Sequence, residues 1–311
     1  RLKNHFAPGG MLHYGQGKWY PGETLPRWAL NIFWRVDGQP MWFDPSLFSD
    51  EHIDDGYGSE DAGRFAAELV KSLGLPAGSA IPAYEDVLLQ AQREQALPRN
   101  LDPLDADLKA PEERRRLARL LERGLGQVAG YVLPLKAREH DPSVMLGTSW
   151  RTSPWPLKRE NLYLIEGDSP IGLRLPLATL PWVLPEERDP DFDVDPFAPR
   201  GPLPVGKKDR RPVLSVAPGK STNKTASAPA DPEAREVIHT ALCLEVRAGR
   251  LYIFMPPQKR IEDYLALVTA VENTAAKLKM KLRIEGYAPP RDPRIKLLSV
   301  TPDPGVIEVN I

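Results

Sequence analysis

Three β-prone runs in the last quarter of the chain each set a glutamate against an apolar face. Read at period 2, Glu245 opposes Leu242, Leu244 and Val246, and Arg283 and Glu285 oppose Leu282 and Ile284. In the closing run Glu308 and Asn310 oppose Ile307, Val309 and Ile311. A carboxylate or amide on such a strand is costly to bury unpartnered, so each polar face is either wet or lines a site. Converging carboxylates suit Mg2+, a hard cation that takes oxygen ligands and bridges nucleotide phosphates. On that reading Glu245, Glu285 and Glu308 are metal ligands, and Arg283 and Asn310 contact substrate. The same pattern also fits an antiparallel sheet with one solvated side.

A second candidate is the glycine-rich run around Gly15-Gln-Gly-Lys18. His13, Gln16 and Lys18 are placed there to contact a phosphate or carboxylate of a cofactor. The third glycine of a dinucleotide fingerprint is missing, since position 20 is Tyr. The competing reading is a turn fixed by the packing of Trp19 and Tyr20. Gly219-Lys-Ser221 resembles the tail of a phosphate-binding loop, but Leu214 stands where that loop needs glycine. Cys243 lies between two leucines, as an inert buried thiol does, and on a strand His239 would be ~13 Å from it. The five histidines show no metal-ligand spacing. The basic run Lys207-Lys-Asp-Arg-Arg211 has no interleaved aromatics, so it reads as a solvated segment rather than a nucleic-acid contact.

The composition bounds these readings. The 311 residues are 41% hydrophobic and 27% charged, with a formal charge of -1 and one cysteine. That describes a globular chain with no global field for nucleic acid or an anionic membrane, and no internal disulfide. No apolar run approaches the ~20 residues needed to span a bilayer. The start at Arg1 and the stop inside a β-prone run at Ile311 lead us to expect a fragment of something longer. Of the 34 prolines, ten fall between Leu184 and Pro232. Such a stretch buries too little apolar surface to offset its ordering entropy. Residues 184–235 are therefore expected to be a linker or excursion between an N-terminal region, 1–183, and a C-terminal one, 236–311.

The elements that would position these residues can be read in order. Residues 13–23 look like a loop, 29–35 like a strand, and Asp37-Gly38 like the turn of a hairpin returning through 40–43. Helices are expected at 59–73, 83–95 and 111–122, the first carrying Phe65, Leu69 and Leu73 on one stripe. Strands are expected at 131–135, 162–165 and 172–177. Beyond the proline-rich stretch, 240–247 and 250–255 form a hairpin. Ile261, Leu265, Val268, Val271, Ala275 and Leu278 mark a long helix, and 282–287, 295–300 and 306–311 are strands. The order β-β-α-β-β-β favours an α+β fold with a mainly antiparallel sheet and packed helices, preceded by a helix-rich N-terminal part.

Several long segments carry a family resemblance. They are the run from His13 to Glu23, Asn100-Leu-Asp-Pro-Leu-Asp105, Gly167-Asp-Ser-Pro170, Phe254-Met-Pro-Pro257 and the run from Thr301 to Asn310. Together they resemble a bacterial family in which a transglutaminase-like region is followed by an amidoligase domain, and this chain corresponds to the first half of that domain. The resemblance implies a fold similar to glutamine synthetase, with carboxylates holding divalent metal on an antiparallel sheet. It implies ATP and Mg2+ as cofactors and an amide made through an acyl phosphate. Pro304-Gly-Val-Ile-Glu308 is similar to the turn that leads to a metal-binding glutamate in glutamine synthetases, although Val306 replaces its glutamine. Val300 stands where those enzymes carry a second ligand glutamate. The implied partners are a peptide or amino-acid substrate and the rest of the same polypeptide, in a bacterial cytoplasm, with no nucleic acid and no membrane. A non-catalytic peptide- or partner-binding domain serving the transglutaminase-like part is the alternative.

Overall fold

The computed structural model describes residues 2–18, 20, 27–86, 127–138, 148–157, 161–181, 200–204 and 237–310. Ten strands form one sheet in the order β12-β11-β2-β1-β10-β9-β8-β4-β3-β7. In chain order these are β1 (Met11–Gln16), β2 (Trp28–Arg35), β3 (Ile81–Glu85), β4 (Val128–Pro134) and β7 (Leu162–Leu164). After residue 236 come β8 (Ala241–Arg247), β9 (Arg250–Met255), β10 (Leu282–Gly286), β11 (Ile295–Asp303) and β12 (Val306–Asn310). The short β5 (Lys136–Ala137) and β6 (Trp150–Arg151) pair separately. The sheet is mainly antiparallel; only β1–β10, β10–β9 and β3–β7 run parallel. It draws strands from both sides of residues 184–235.

One face carries the helices α2 (Ser59–Ser72) and α3 (Ile261–Leu278), while α1 (Leu2–Phe6) is a single short turn. In α2 the buried residues Ala62, Phe65, Ala66, Leu69 and Val70 recur at i, i+3, i+4 and i+7. The Asp61 carboxylate accepts the Gly58 N–H at 2.8 Å, which satisfies a free donor at the helix start. The long connection through α3 is what lets β9 and β10 lie parallel. Phe65, Leu69, Tyr264, Val268 and Val271 pack on Leu242, Leu244, Leu251, Ile253, Leu282 and Ile284. On the outer face, one apolar cluster joins Val132, Ile171, Cys243 and Phe254, and another joins Ala7, Ile32 and Leu298. Between those two clusters the outer face is charged.

The C-terminal hairpin, the long helix and the last three strands lie where the alternation placed them. Other segments differ. Part of the expected 13–23 loop is β1, because pairing with β2 and β10 outweighs the turn propensity of its glycines. Gly15 is needed there by the sheet itself: a Cβ would lie 2.7 Å from Asn31 Nδ2. Residues 40–43 do not return as a strand, since β2 is already flanked by β1 and β11. Met41 and Trp42 are buried instead as core, with Trp42 stacked on Phe48 at 4.6 Å. The expected helix at 83–95 begins as strand β3, held by β4 and β7; its remainder past 86, and the expected helix at 111–122, lie outside the described residues. Strands, not helices, therefore dominate the described N-terminal part. The expected strand at 172–177 is replaced by 3-10 turns at Ile171–Leu173 and Leu177–Thr179, each following a proline that has no N–H for a ladder.

The first of these turns packs tightly on the sheet. A Cβ on Gly172 would lie 2.2 Å from the ring of Phe254, which is itself buried. Gly172→Ala is expected to destabilise the fold by about 1–3 kcal/mol through overpacking, read as a lower urea midpoint at unchanged slope.

Candidate active site on the outer face of the sheet

The charged band is assembled by register. Glu245 and Arg247 lie two apart on β8, and so share a face. Tyr252 on β9 sits opposite Glu245, Arg283 on β10 sits opposite Tyr252, and Tyr14 on β1 sits opposite Glu285. Glu245, Arg283 and Glu285 are only 6%, 5% and 6% exposed, while Tyr14, Tyr252 and Arg247 are half-buried and connect the band to solvent.

Arg247 joins the carboxylates. Its guanidinium forms an ion pair with Glu285, lies 3.8 Å from a Glu245 oxygen, and stacks over the Tyr252 ring at 3.7 Å. The Ile171 N–H donates to Glu245 at 3.3 Å. Burial raises the Glu285 carboxyl above the usual range, with Arg247 pulling the other way. Burial likewise raises the Tyr14 hydroxyl, against the pull of Arg283 and with a small push from Glu51 and Asp50. Arg283 lies 4.8 Å from the centre of the Tyr14 ring and 5.7 Å from that of Tyr252, and its Nη1 donates to the Tyr252 hydroxyl at 3.4 Å. Its Nε and Nη2 are buried with no hydrogen-bond partner among the described residues.

Of the residues singled out from the sequence, the structure thus brings together Glu245, Glu285 and Arg283. It does not bring Glu308 or Asn310 to them. The register from Tyr14 through Leu30 and Val300 to Val309 puts Glu308 and Asn310 on the opposite face of the sheet. With β11, β2 and β1 between β12 and β10, Glu308 is also about 19 Å away by strand spacing. Its carboxylate accepts instead from Lys18 Nζ at 2.7 Å, beside an Asp303 that receives the Tyr20 hydroxyl. Asn310 is exposed opposite Ser299. Among the described residues no group of three or more Asp, Glu, His or Cys is arranged to hold a metal ion. Glu245 and Glu285, both turned to Arg247, do not fit Mg2+ as a ligand set.

Nor do His13, Gln16 and Lys18 converge. Gln16 ends β1 on the outer face, and Lys18 belongs to the Glu308 group. His13 faces the helix side, edge-on to Phe33 at 5.8 Å, with both ring nitrogens buried. The backbone of Gly286 and Tyr287 approaches the ring without a well-formed hydrogen bond. Burial lowers the His13 pKa from 6.5 to about 4. The folded state therefore holds it neutral while the unfolded chain protonates it first, so its stabilisation is present above pH 6.5 and is lost as pH falls through about 4. His13→Phe is expected to remove about 3 kcal/mol of the fall in unfolding free energy over that window, measured by urea unfolding at stepped pH. Cys243 is buried and its thiol is pushed well up by burial, with Glu245 and Glu285 adding to the effect, so it is no nucleophile.

Arg247, Tyr252 and Tyr14 did not stand out in the sequence. A readable signal existed for the first, a charge two residues from Glu245 on a strand whose other positions are apolar. Its contact with Glu285, two strands away, depends on register.

A mainly antiparallel sheet with one face covered by helices and a buried pair of carboxylates bridged by arginine on the other defines a class of mixed α/β protein with a charged site on its sheet. Within that class, residues 1–311 match the family described as "Putative amidoligase enzyme (DUF2126)", and the chain belongs to it. No curated protein and no solved structure matches it. No helix among the described residues is long and apolar enough to cross a membrane.

Proposed function

We propose that the outer-face band is the site of an ATP-dependent carboxylate–amine ligase acting on an amino acid or peptide. The observation that carries this reading is the buried Glu245–Arg247–Glu285 bridge with Arg283 beside it, in a chain that belongs throughout to an amidoligase family. A substrate carboxylate oxygen attacks the γ-phosphorus of ATP, the bond to the β-phosphate oxygen breaks, and ADP leaves. The amine nitrogen then attacks the acyl carbon, the carbon–oxygen bond to phosphate breaks, and phosphate leaves. Magnesium, when bound with the nucleotide, would neutralise phosphate charge. Arg247 offsets charge on the transferring oxygens, a preorganised electrostatic contribution in a site largely closed to water. Glu285, with its elevated pKa, takes the proton that the attacking amine loses. On the same reading the chain serves a polypeptide that includes a transglutaminase-like region, in a bacterial cytoplasm, and its sheet is related to that of glutamine synthetase.

Hydroxylamine provides the test, because it converts an acyl phosphate to a stable hydroxamate. The protein, with magnesium–ATP and mixed amino acids and peptides, is expected to form hydroxamate and release ADP together. Folded protein that binds peptide but forms neither product would replace this reading with a partner-binding domain.

A further inference from the structure

We infer that Arg283 is the carboxylate receptor of this site, holding a substrate's planar two-oxygen anion on its Nε and Nη2 edge between Tyr14 and Tyr252. The inference rests on the ligase reading for its setting and on geometry for its content. A guanidinium presents Nε–H and one terminal N–H side by side, matched to the two oxygens of a carboxylate. Among the described residues that edge is used in this way by Arg35 and Arg294. Arg35 donates from Nε at 2.9 Å and from Nη2 at 2.5 Å to the two oxygens of Asp37. Arg294 donates from Nε at 2.9 Å and from Nη2 at 2.8 Å to those of Asp292. In Arg283 the same two nitrogens are buried without a partner among the described residues, at 5% exposure of the residue. Leaving charged donors buried and unpaired is unfavourable, and a bound anion would relieve it.

The surroundings select the kind of anion. Tyr14 and Tyr252, both half-buried, flank the guanidinium between the sheet and solvent. Glu245 and Glu285 stand nearby against Arg247 and Arg283, so the band holds two carboxylates and two guanidinium groups. One added negative charge is tolerated better there than the multiple charge of a terminal phosphate, by like-charge repulsion. The Arg283 edge therefore takes the substrate carboxylate, and the nucleotide's phosphates are left to Arg247.

The test is NMR of arginine Nε–Hε groups in the full 311-residue chain, titrated separately with acetate, L-glutamate and inorganic phosphate, with magnesium–ATP binding followed by calorimetry. Acetate and glutamate are expected to shift the Arg283 resonance saturably. Arg283→Lys and Arg283→Gln are expected to weaken glutamate binding about tenfold or more while changing magnesium–ATP affinity less than about threefold. An unmoved Arg283 resonance, tighter binding of phosphate than of glutamate, or full glutamate affinity in Arg283→Lys would overturn the assignment. The wild-type titration decides even if a variant fails to fold. Carboxylate binding at Arg283 without hydroxamate formation would sink the ligase reading and leave the receptor. Hydroxamate formed at the wild-type KM by Arg283→Lys would do the reverse.

Discussion

On the proposed ligase reading, Glu285→Gln is expected to lower ATP-dependent amide formation by about a hundredfold to ten-thousandfold, the range for loss of a positioned general base. The substitution keeps the shape of the side chain and removes its charge and basicity. Arg247 retains Glu245 as a counter-ion, so the site does not collapse. The Glu285 carboxyl titrates above the ordinary range because burial disfavours its charged form. The acid limb of the rate profile should accordingly lie above the usual glutamate pKa in the wild type and disappear in the variant. Release of ADP and trapping of hydroxamate at saturating substrate give the rate of each step. A variant that retains the wild-type rate and acid limb would remove Glu285 from the chemistry. One that still forms hydroxamate but makes no amide would place it at the second step, where the amine loses its proton.

The second large effect is on stability. Arg247→Leu is expected to cost about 3–5 kcal/mol, because it leaves Glu245 and Glu285 buried against one another without the cation between them. The sign with pH follows. Losing Arg247 raises the folded-state Glu285 pKa further above its unfolded value. The variant is then closest to the wild type below the unfolded glutamate pKa of about 4.3, and the gap opens as pH rises through the folded value. Urea unfolding at stepped pH measures this. Adding Glu245→Gln and Glu285→Gln to Arg247→Leu should recover much of the loss at neutral pH, since no buried charge is then stranded. A cost below about 1 kcal/mol, or one independent of pH, would mean that the bridge is a surface ion pair in energetic terms.

Much of the C-terminal architecture was legible because its residues follow one period at a time. Leu242, Leu244 and Val246 alternate with Cys243 and Glu245, and the stripe from Ile261 to Ala275 repeats at helical spacing. The N-terminal strand was not, because Gly15 and Gly17 with polar neighbours look like a loop unless the strands beside them are known. Pro82 and the helix-compatible residues after it concealed β3 in the same way. Alternation separates the faces of one strand but does not say which face of the next strand it joins. That is why Glu245, Arg283 and Glu285 were correctly seen as polar-face residues, while Glu308, equally clear on its own strand, lies on the far side of the sheet. The bridge through Arg247 depends on β9 lying between β8 and β10, a fact of strand order.

That strand order also sets a timetable for synthesis. β1, near the start of the chain, takes its place beside β10, and β2 beside β11, both more than 260 residues later. At roughly 5–20 residues per second, the ribosome delivers these neighbours roughly fifteen seconds to a minute after the first hairpin. Until then Met11, Ile32 and Phe33, all buried in the finished sheet, lack these neighbours, and the hairpin has two open edges. The nascent chain must pass through that interval without pairing wrongly, and a chain released before β10 cannot assemble the Glu245–Arg247–Glu285 bridge.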